Sequence, residues 1–266
     1  MIVLSTCWYK LNCKFNQETY QKWMDNLLSN VNNFYLVIYT NRESYSIIEK
    51  YENNPKIKIV LLEIEDFYNY QYKDFWIKNH EKNHLLKTKI CWEVNMLWAE
   101  KISFVKRTME QNYFNSDWYG WCDIGYFRCG GNDLNKNQIK HWPDNKKIQD
   151  FNKDKVVYGI VRNDNNIITN LNNMVNNKNE KNLPVEPILN DLWCIGGGFF
   201  ILHSNKICWW HETFDSKLKL YFNNNYLVKD DQIVIVDCIF SDIDKFNLIV
   251  DKTTTVSWFV FQKYLL

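Results

Sequence analysis

Residues 116–128 read SDWYGWCDIGYFR, and the reading of the whole chain turns on them. From Trp118 to Tyr126 the run is aromatic and apolar without strict alternation, the pattern of a strand buried on both faces. One carboxylate, Asp123, interrupts it, with Gly125 two residues on. A buried carboxylate is costly unless a metal, an array of amides or a ligand hydroxyl answers it. At the end of a central strand it would face the crevice in which open α/β sheets bind ligands. The plainer reading is an aspartate that accepts the amides of its own turn.

Upstream, strand and helix signals alternate. Residues 2–7 form a short apolar first strand, and 7–15 read as the loop leaving its C-terminal end. In an α/β sheet with a nucleotide site that first loop touches the ligand, which makes Thr6 and Cys7 candidate contacts. No GxGxxG fingerprint is present, so a dinucleotide cradle is unsupported. Tyr20, Trp23, Met24, Leu27 and Leu28 lie at helical spacing within 17–28. A second strand spans 34–39, Thr40 with Glu43 as box partner caps a short helix over 43–51, and a third strand spans 57–64. This order predicts a mainly parallel sheet covered by helices. Residues 66–83 read as a linker or short helices across the cleft. The longest helical signal covers 86–111, with Leu86, Ile90, Val94, Leu97, Val105 and Met109 in three- and four-residue steps. Lys101 interrupts that face. It either snorkels to solvent or is directed into an anionic site.

Downstream, residues 129–150 are polar, carry Gly-Gly and Trp-Pro, and read as a loop that contains His141 and Trp142. A strand follows at 155–161. The Asn-rich stretch 162–187 reads as a flap or a poorly ordered excursion. Residues 192–210 then read LWCIGGGFFILHSNKICWW. Gly196, Gly197 and Gly198, set between apolar runs, permit positive φ or a close approach of backbone to a ligand. The strand resumes to His203, and Ser204 is a fair N-cap for a helix over 206–221. Asp230 and Asp231 open an apolar helix or strand over 233–240, where acids have a capping reason to exist. Residues 246–250 read as a short late strand and 256–261 as an apolar tail segment. The predicted sheet uses strands at 2–7, 34–39, 57–64, 118–126, 155–161 and 198–203, with an antiparallel pair late in the chain.

Composition narrows the function. The 266 residues are 46% apolar, enough for a full core in one domain over 1–266 with excursions at 129–150 and 162–187. Lysine and arginine total 32 against 31 acids, a formal charge of +1 that supports neither a nucleic-acid footprint nor a basic membrane face. The 12 Trp and 16 Tyr suit sites that stack rings or grip sugars. The eight cysteines show no CxxC pair and several lie in apolar runs, as expected of buried free thiols in a reducing compartment. The N-terminus lacks a signal-peptide pattern and no apolar run approaches a bilayer span, so the expectation is a soluble cytoplasmic protein. No GxSxG, P-loop or Ser-His-Asp order is visible. HEKNH at 80–84 satisfies HExxH literally, but its flanks are hydrophilic and a zinc site needs a helix and a third ligand.

The motifs resemble those of the HtrL/YibB (WlaTC-like) family, which is itself similar to the GT-A glycosyltransferases. The resemblance runs through VIYTN at 37–41, K-x-x-F at 101–104, WCDIGYFR at 121–128, HWP at 141–143, GGGFF at 196–200 and KDDQ at 229–232. It implies a Rossmann-like, GT-A-like α/β domain with a mixed, mainly parallel sheet. It also implies a divalent metal, manganese or magnesium, and transfer of a sugar from a nucleotide-diphosphate donor, a UDP-sugar in the first instance, to a glycan, lipid or protein acceptor. In that reading Thr6, Cys7, Lys101, Asp123, Gly125, Gly196, Gly197 and Gly198 bind the nucleotide sugar. Asp123 is the metal ligand, with His203 as a compensating one, because Gly125 makes the motif D-x-G where GT-A enzymes have D-x-D. Asp231, and behind it Asp230, are the catalytic acids, and His141 and Trp142 lie on the acceptor side. The alternative, given the missing second carboxylate, is a nucleotide-sugar- or glycan-binding protein without catalysis.

Overall fold

Every residue of the first strand, β1 (Val3–Trp8), is buried, as a strand inside a helix-covered sheet requires. The computed structural model describes residues 1–131, 133–189 and 194–266. After β1 come α1 (Gln17–Leu28), β2 (Tyr35–Thr40), β3 (Ile57–Leu61), α2 (Lys73–Lys82), α3 (Trp92–Gln111) and β4 (Trp118–Cys122). The second half adds α4 (Lys136–Ile139), α5 (Asn145–Gln149), β5 (Val156–Ile160), α6 (Asn165–Asn176), β6 (Ile195–His203) and α7 (Ser204–Asn223). It closes with α8 (Asp231–Ser241), β7 (Phe246–Val250) and α9 (Val260–Tyr264).

The described residues build one seven-stranded sheet in the order β3-β2-β1-β4-β6-β5-β7. β1 pairs in parallel with β2 and β4, β2 with β3, and β5 with β7. Only β6 runs against its neighbours, β4 and β5. The fold is therefore the mixed, mainly parallel α/β sheet that the alternating signals predict, with the antiparallel strand late in the chain. β7 belongs to the sheet as well. Alternation along β1 sends Val3 and Cys7 to a core shared with α3, α7 and α8, and Leu4 and Trp8 to one shared with α1 and α9. No helix among the described residues is long and apolar enough to cross a membrane. The eight cysteines are free.

Three expectations change. The stretch 162–187 contains α6, which buries Leu171 and Val175 and is capped by Asp164, whose side chain accepts from Asn166 N and Ile167 N. Its asparagines favour turns in isolation, so packing and the cap decide the matter. The long helix begins at Trp92, because Cys91 is extended and donates its N–H to Asn12 O at 3.0 Å. Leu86 and Ile90 join Val94 in a small separate cluster. The helix expected over 43–51 is a pair of 3₁₀ turns, Tyr45–Ile47 and Glu49–Tyr51. Thr40 ends β2 and donates its hydroxyl to Trp8 O at 2.7 Å, leaving Asn41 to accept from Ser44 N at 3.0 Å. In HEKNH, α2 stops at Lys82 and Asn83 turns away to donate to Lys229 O at 3.0 Å, so the two histidines do not share a helix face.

The loop at 129–150 also has a different job. Trp142 is fully buried, and its indole donates to Phe261 O at 3.0 Å. His141 is exposed, and its carbonyl accepts from Asn33 Nδ2 at 2.9 Å. Asn145 accepts from Ile2 N at 3.0 Å and donates to Asn33 O at 2.7 Å. Ile2 and Asn33 precede β1 and β2, so this segment covers the N-terminal ends of the parallel strands. His141 and Trp142 therefore lie away from the crevice, and Trp142 is a core residue.

Candidate functional site

At the C-terminal ends of β1 and β4 the chain leaves a cleft of about 120 Å³, about 690 Å³ with its solvent-open mouth. Strand carboxyl ends are where open α/β sheets place ligands. The walls are aromatic, from Trp8, Tyr20, Trp98 and Trp121, and the polar groups are Lys101, Asp123 and Arg128.

Asp123 follows the last residue of β4. Its N–H donates to Gly198 O at 2.8 Å and its carbonyl accepts from Tyr126 N at 2.9 Å, which fixes the turn through backbone alone. Oδ1 accepts from the Trp121 indole at 2.6 Å, so the side chain does not cap its own turn. The carboxylate is 41% exposed, toward the cleft.

Lys101 comes up from α3 beneath it, with its side chain only 7% exposed. Its ammonium donates to Gly197 O at 2.8 Å and stands 3.1 Å from both Asp123 Oδ1 and Asp231 Oδ2. The carbonyl takes a hydrogen bond from the ammonium, and the two carboxylates flank it as ion-pair partners. Burial would lower the lysine pKa, but Asp123 and Asp231 outweigh it and hold the group above its usual range. Asp231 opens α8 and is buried. Burial raises its carboxyl to about 6, with Lys101 pulling the other way.

The glycine triplet lies inside β6, with none of the three in the left-handed region. Its purpose is close approach. A Cβ on Gly198 would stand 3.2 Å from Asp123 Oδ2, and one on Gly197 would collide with the Asp231 carboxylate. The neighbours that demand glycine are thus the protein's own acids. Gly196 faces elsewhere, with Val161 Cγ2 at 3.3 Å from its notional Cβ. Upstream of the triplet, Leu192 and Trp193 lie outside the described residues.

Of the residues singled out in the sequence, Cys7, Lys101, Asp123 and Gly125 line the cleft, Gly197 and Asp231 meet the Lys101 ammonium, and Gly198 lies against Asp123. Burial, with Asp123 adding to it, pushes the Cys7 thiol up, so it stays protonated. Thr6 is fully buried within β1 and does not line the cleft. Asp230 is buried, makes no side-chain cap, and pairs with Lys229 at 3.1 Å. Asp231 is 5% exposed and its Oδ2 stands 3.1 Å from the Lys101 ammonium.

A divalent cation shared by Asp123 and His203 does not fit this geometry. His203 pairs with Trp118 at the start of β4, roughly 16 Å along the strand from Asp123. Its Nδ1 accepts from Asn205 N at 3.3 Å at the start of α7. Among the described residues no three His, Cys, Asp or Glu side chains gather as a ligand set. The two carboxylates that do converge hold an ammonium between them.

Sequence reasoning passed over Arg128, Trp98 and Lys14. The Arg128 guanidinium lies 4.2 Å from the Trp23 ring and 5.0 Å from that of Phe259, and its Nε donates to Gly125 O at 3.3 Å. The signal was at hand, since Arg128 closes the 116–128 stretch that carries Asp123. Gly125 leaves room for the Trp23 ring, 3.0 Å from its notional Cβ. Trp98 stands one turn before Lys101 on the same helix face, and the Lys14 ammonium lies 4.6 Å from its ring centroid.

No protein-family model matches the sequence, and no curated protein matches it. Among solved structures the fold is similar to that of LgtC, a galactosyltransferase in complex with donor and acceptor sugar analogues. That likeness has a TM-score of 0.48 and 8% identity, over 95% of this chain and 74% of that one. An active-site mutant of LgtC gives 0.44 and 9%, over 95% and 73%. A 4-diphosphocytidyl-2C-methyl-D-erythritol synthase from Anaerococcus prevotii gives 0.37 and 9%, over 99% and 95%.

Proposed function

We propose that the chain is a GT-A-like glycosyltransferase, its motifs resembling those of the HtrL/YibB family, that moves a sugar from a nucleoside diphosphate donor to a glycan, lipid or protein acceptor. A UDP-sugar is the first donor to try. The observation that supports this reading is the cleft at the ends of β1 and β4, which combines stacking walls with Arg128, Lys101 and Asp123. Rings of a base or sugar stack on the half-buried Trp98, and the diphosphate faces Arg128 and Lys14. In transfer, an acceptor oxygen bonds to the anomeric carbon as the bond from that carbon to the diphosphate breaks. The hydroxyl proton then passes to a base. Asp123 is the exposed carboxylate for that proton, and Asp231 positions Lys101.

A second reading is binding without transfer. It is favoured by one observation, that Asp123 is already engaged by Lys101 and Trp121. Incubation with UDP-glucose and UDP-galactose, followed by chromatography for released UDP, separates the two. Transfer predicts UDP release above the blank that is lost in Asp123→Asn. UDP binding with no release supports the second reading, and no UDP binding removes both.

A further inference from the structure

Three oxygens converge between β4, β6 and α8: Oδ1 of Asp123, Oδ2 of Asp231 and the carbonyl of Gly197. Two carboxylates and a carbonyl are a donor set that hard divalent cations take. What stands among them is the Lys101 ammonium, at 2.8–3.1 Å from all three. A divalent ion such as Mg²⁺ would need oxygens at about 2.1 Å, so ammonium and metal cannot share the place.

We infer that Lys101 is a built-in cation: its ammonium occupies the one position where Asp123, Asp231 and the Gly197 carbonyl would hold a divalent metal, so the native site takes up none, and removing that ammonium creates a divalent-cation site. The charges around it agree. Asp123, Asp230 and Asp231 face Lys14, Lys101, Arg128 and Lys229, three acids against four cations. That balance already favours an anionic ligand such as a diphosphate. A divalent ion added to it would meet repulsion from an ammonium already paired with both carboxylates. The glycines at 197 and 198 belong to the same device, since they let both carboxylates close on a fixed point.

The probe is Mn²⁺ alone, so the result does not depend on the proposed donor. Mn²⁺ is titrated into the full chain and followed by electron paramagnetic resonance of the free ion, with melting temperature in parallel. The expected result is no saturable site in the wild type below millimolar Mn²⁺. Lys101→Ala should show a single site at least tenfold tighter, with a melting temperature raised by Mn²⁺, and Lys101→Ala/Asp231→Asn should lose it. Lys101→Gln, which retains much of the stem, is read the same way if the alanine variant does not fold. A wild-type Mn²⁺ site abolished by Asp123→Asn would overturn the inference, as would a folded Lys101 variant that binds Mn²⁺ no better than wild type.

Discussion

A Cβ placed on Gly197 would stand 2.8 Å from Oδ2 of Asp231. Strand β6 and the start of α8 pack this closely only because position 197 has no side chain, and the carboxylate so placed reaches Lys101. Gly197→Ala should therefore destabilise the protein by about 1–3 kcal/mol, as overpacking does in a filled interior. Gly130→Ala, whose Cβ meets nothing within 4 Å, should stay within about 0.5 kcal/mol of wild type. Urea unfolding of the two variants compares them. Equal midpoints would mean that Asp231 simply moves aside.

Glu100 gives the fold a pH dependence. It is buried and accepts from Tyr68 N at 2.7 Å, Asn69 N at 2.9 Å and Asn69 Nδ2 at 2.7 Å. Burial raises its carboxyl to about 7 and those donors only partly oppose it. A raised native pKa means that the folded protein holds a proton which the unfolded chain has released. This contribution is complete below about 4.5 and is lost as pH climbs toward 7, by roughly 3 kcal/mol in all. Unfolding midpoints between pH 5 and 8 should fall in the wild type and flatten in Glu100→Gln. Parallel curves would contradict the assignment.

Trp142 and His141 separate a core role from a surface one. Trp142→Ala should cost about 3–5 kcal/mol, since it empties a fully buried indole site. His141→Ala should be nearly neutral, because its contact with Asn33 is made by the backbone carbonyl. Thermal denaturation of both variants checks the contrast. A destabilised His141→Ala would give its ring a role that the geometry does not show.

Much of the sheet was legible because its strands are short apolar runs separated by helical periodicities, and burial on both faces of β1 and β4 leaves that trace. Lys101 was legible as a break in an apolar face. Its partners were not, because Asp123 and Asp231 come from β4 and α8 and meet only in the folded chain. The glycines stood out as sites of positive φ or of approach to a ligand; none adopts positive φ, and the groups that close on Gly197 and Gly198 are the protein's own carboxylates. α6 was hidden by asparagines whose intrinsic preference is overridden by Leu171, Val175 and the Asp164 cap. Proximity in sequence misplaced His203 as well. It follows the triplet along β6, but the strand carries it away from Asp123 at the rate of its rise.

The central claim is that the cleft at the ends of β1 and β4 holds a nucleoside diphosphate, and calorimetric titration of UDP in EDTA tests it most directly. The account predicts saturable binding at one site. Trp98→Ala should weaken it by about 1–3 kcal/mol, the worth of a stacked base. Absence of saturable UDP binding in EDTA and in Mn²⁺ alike would contradict it.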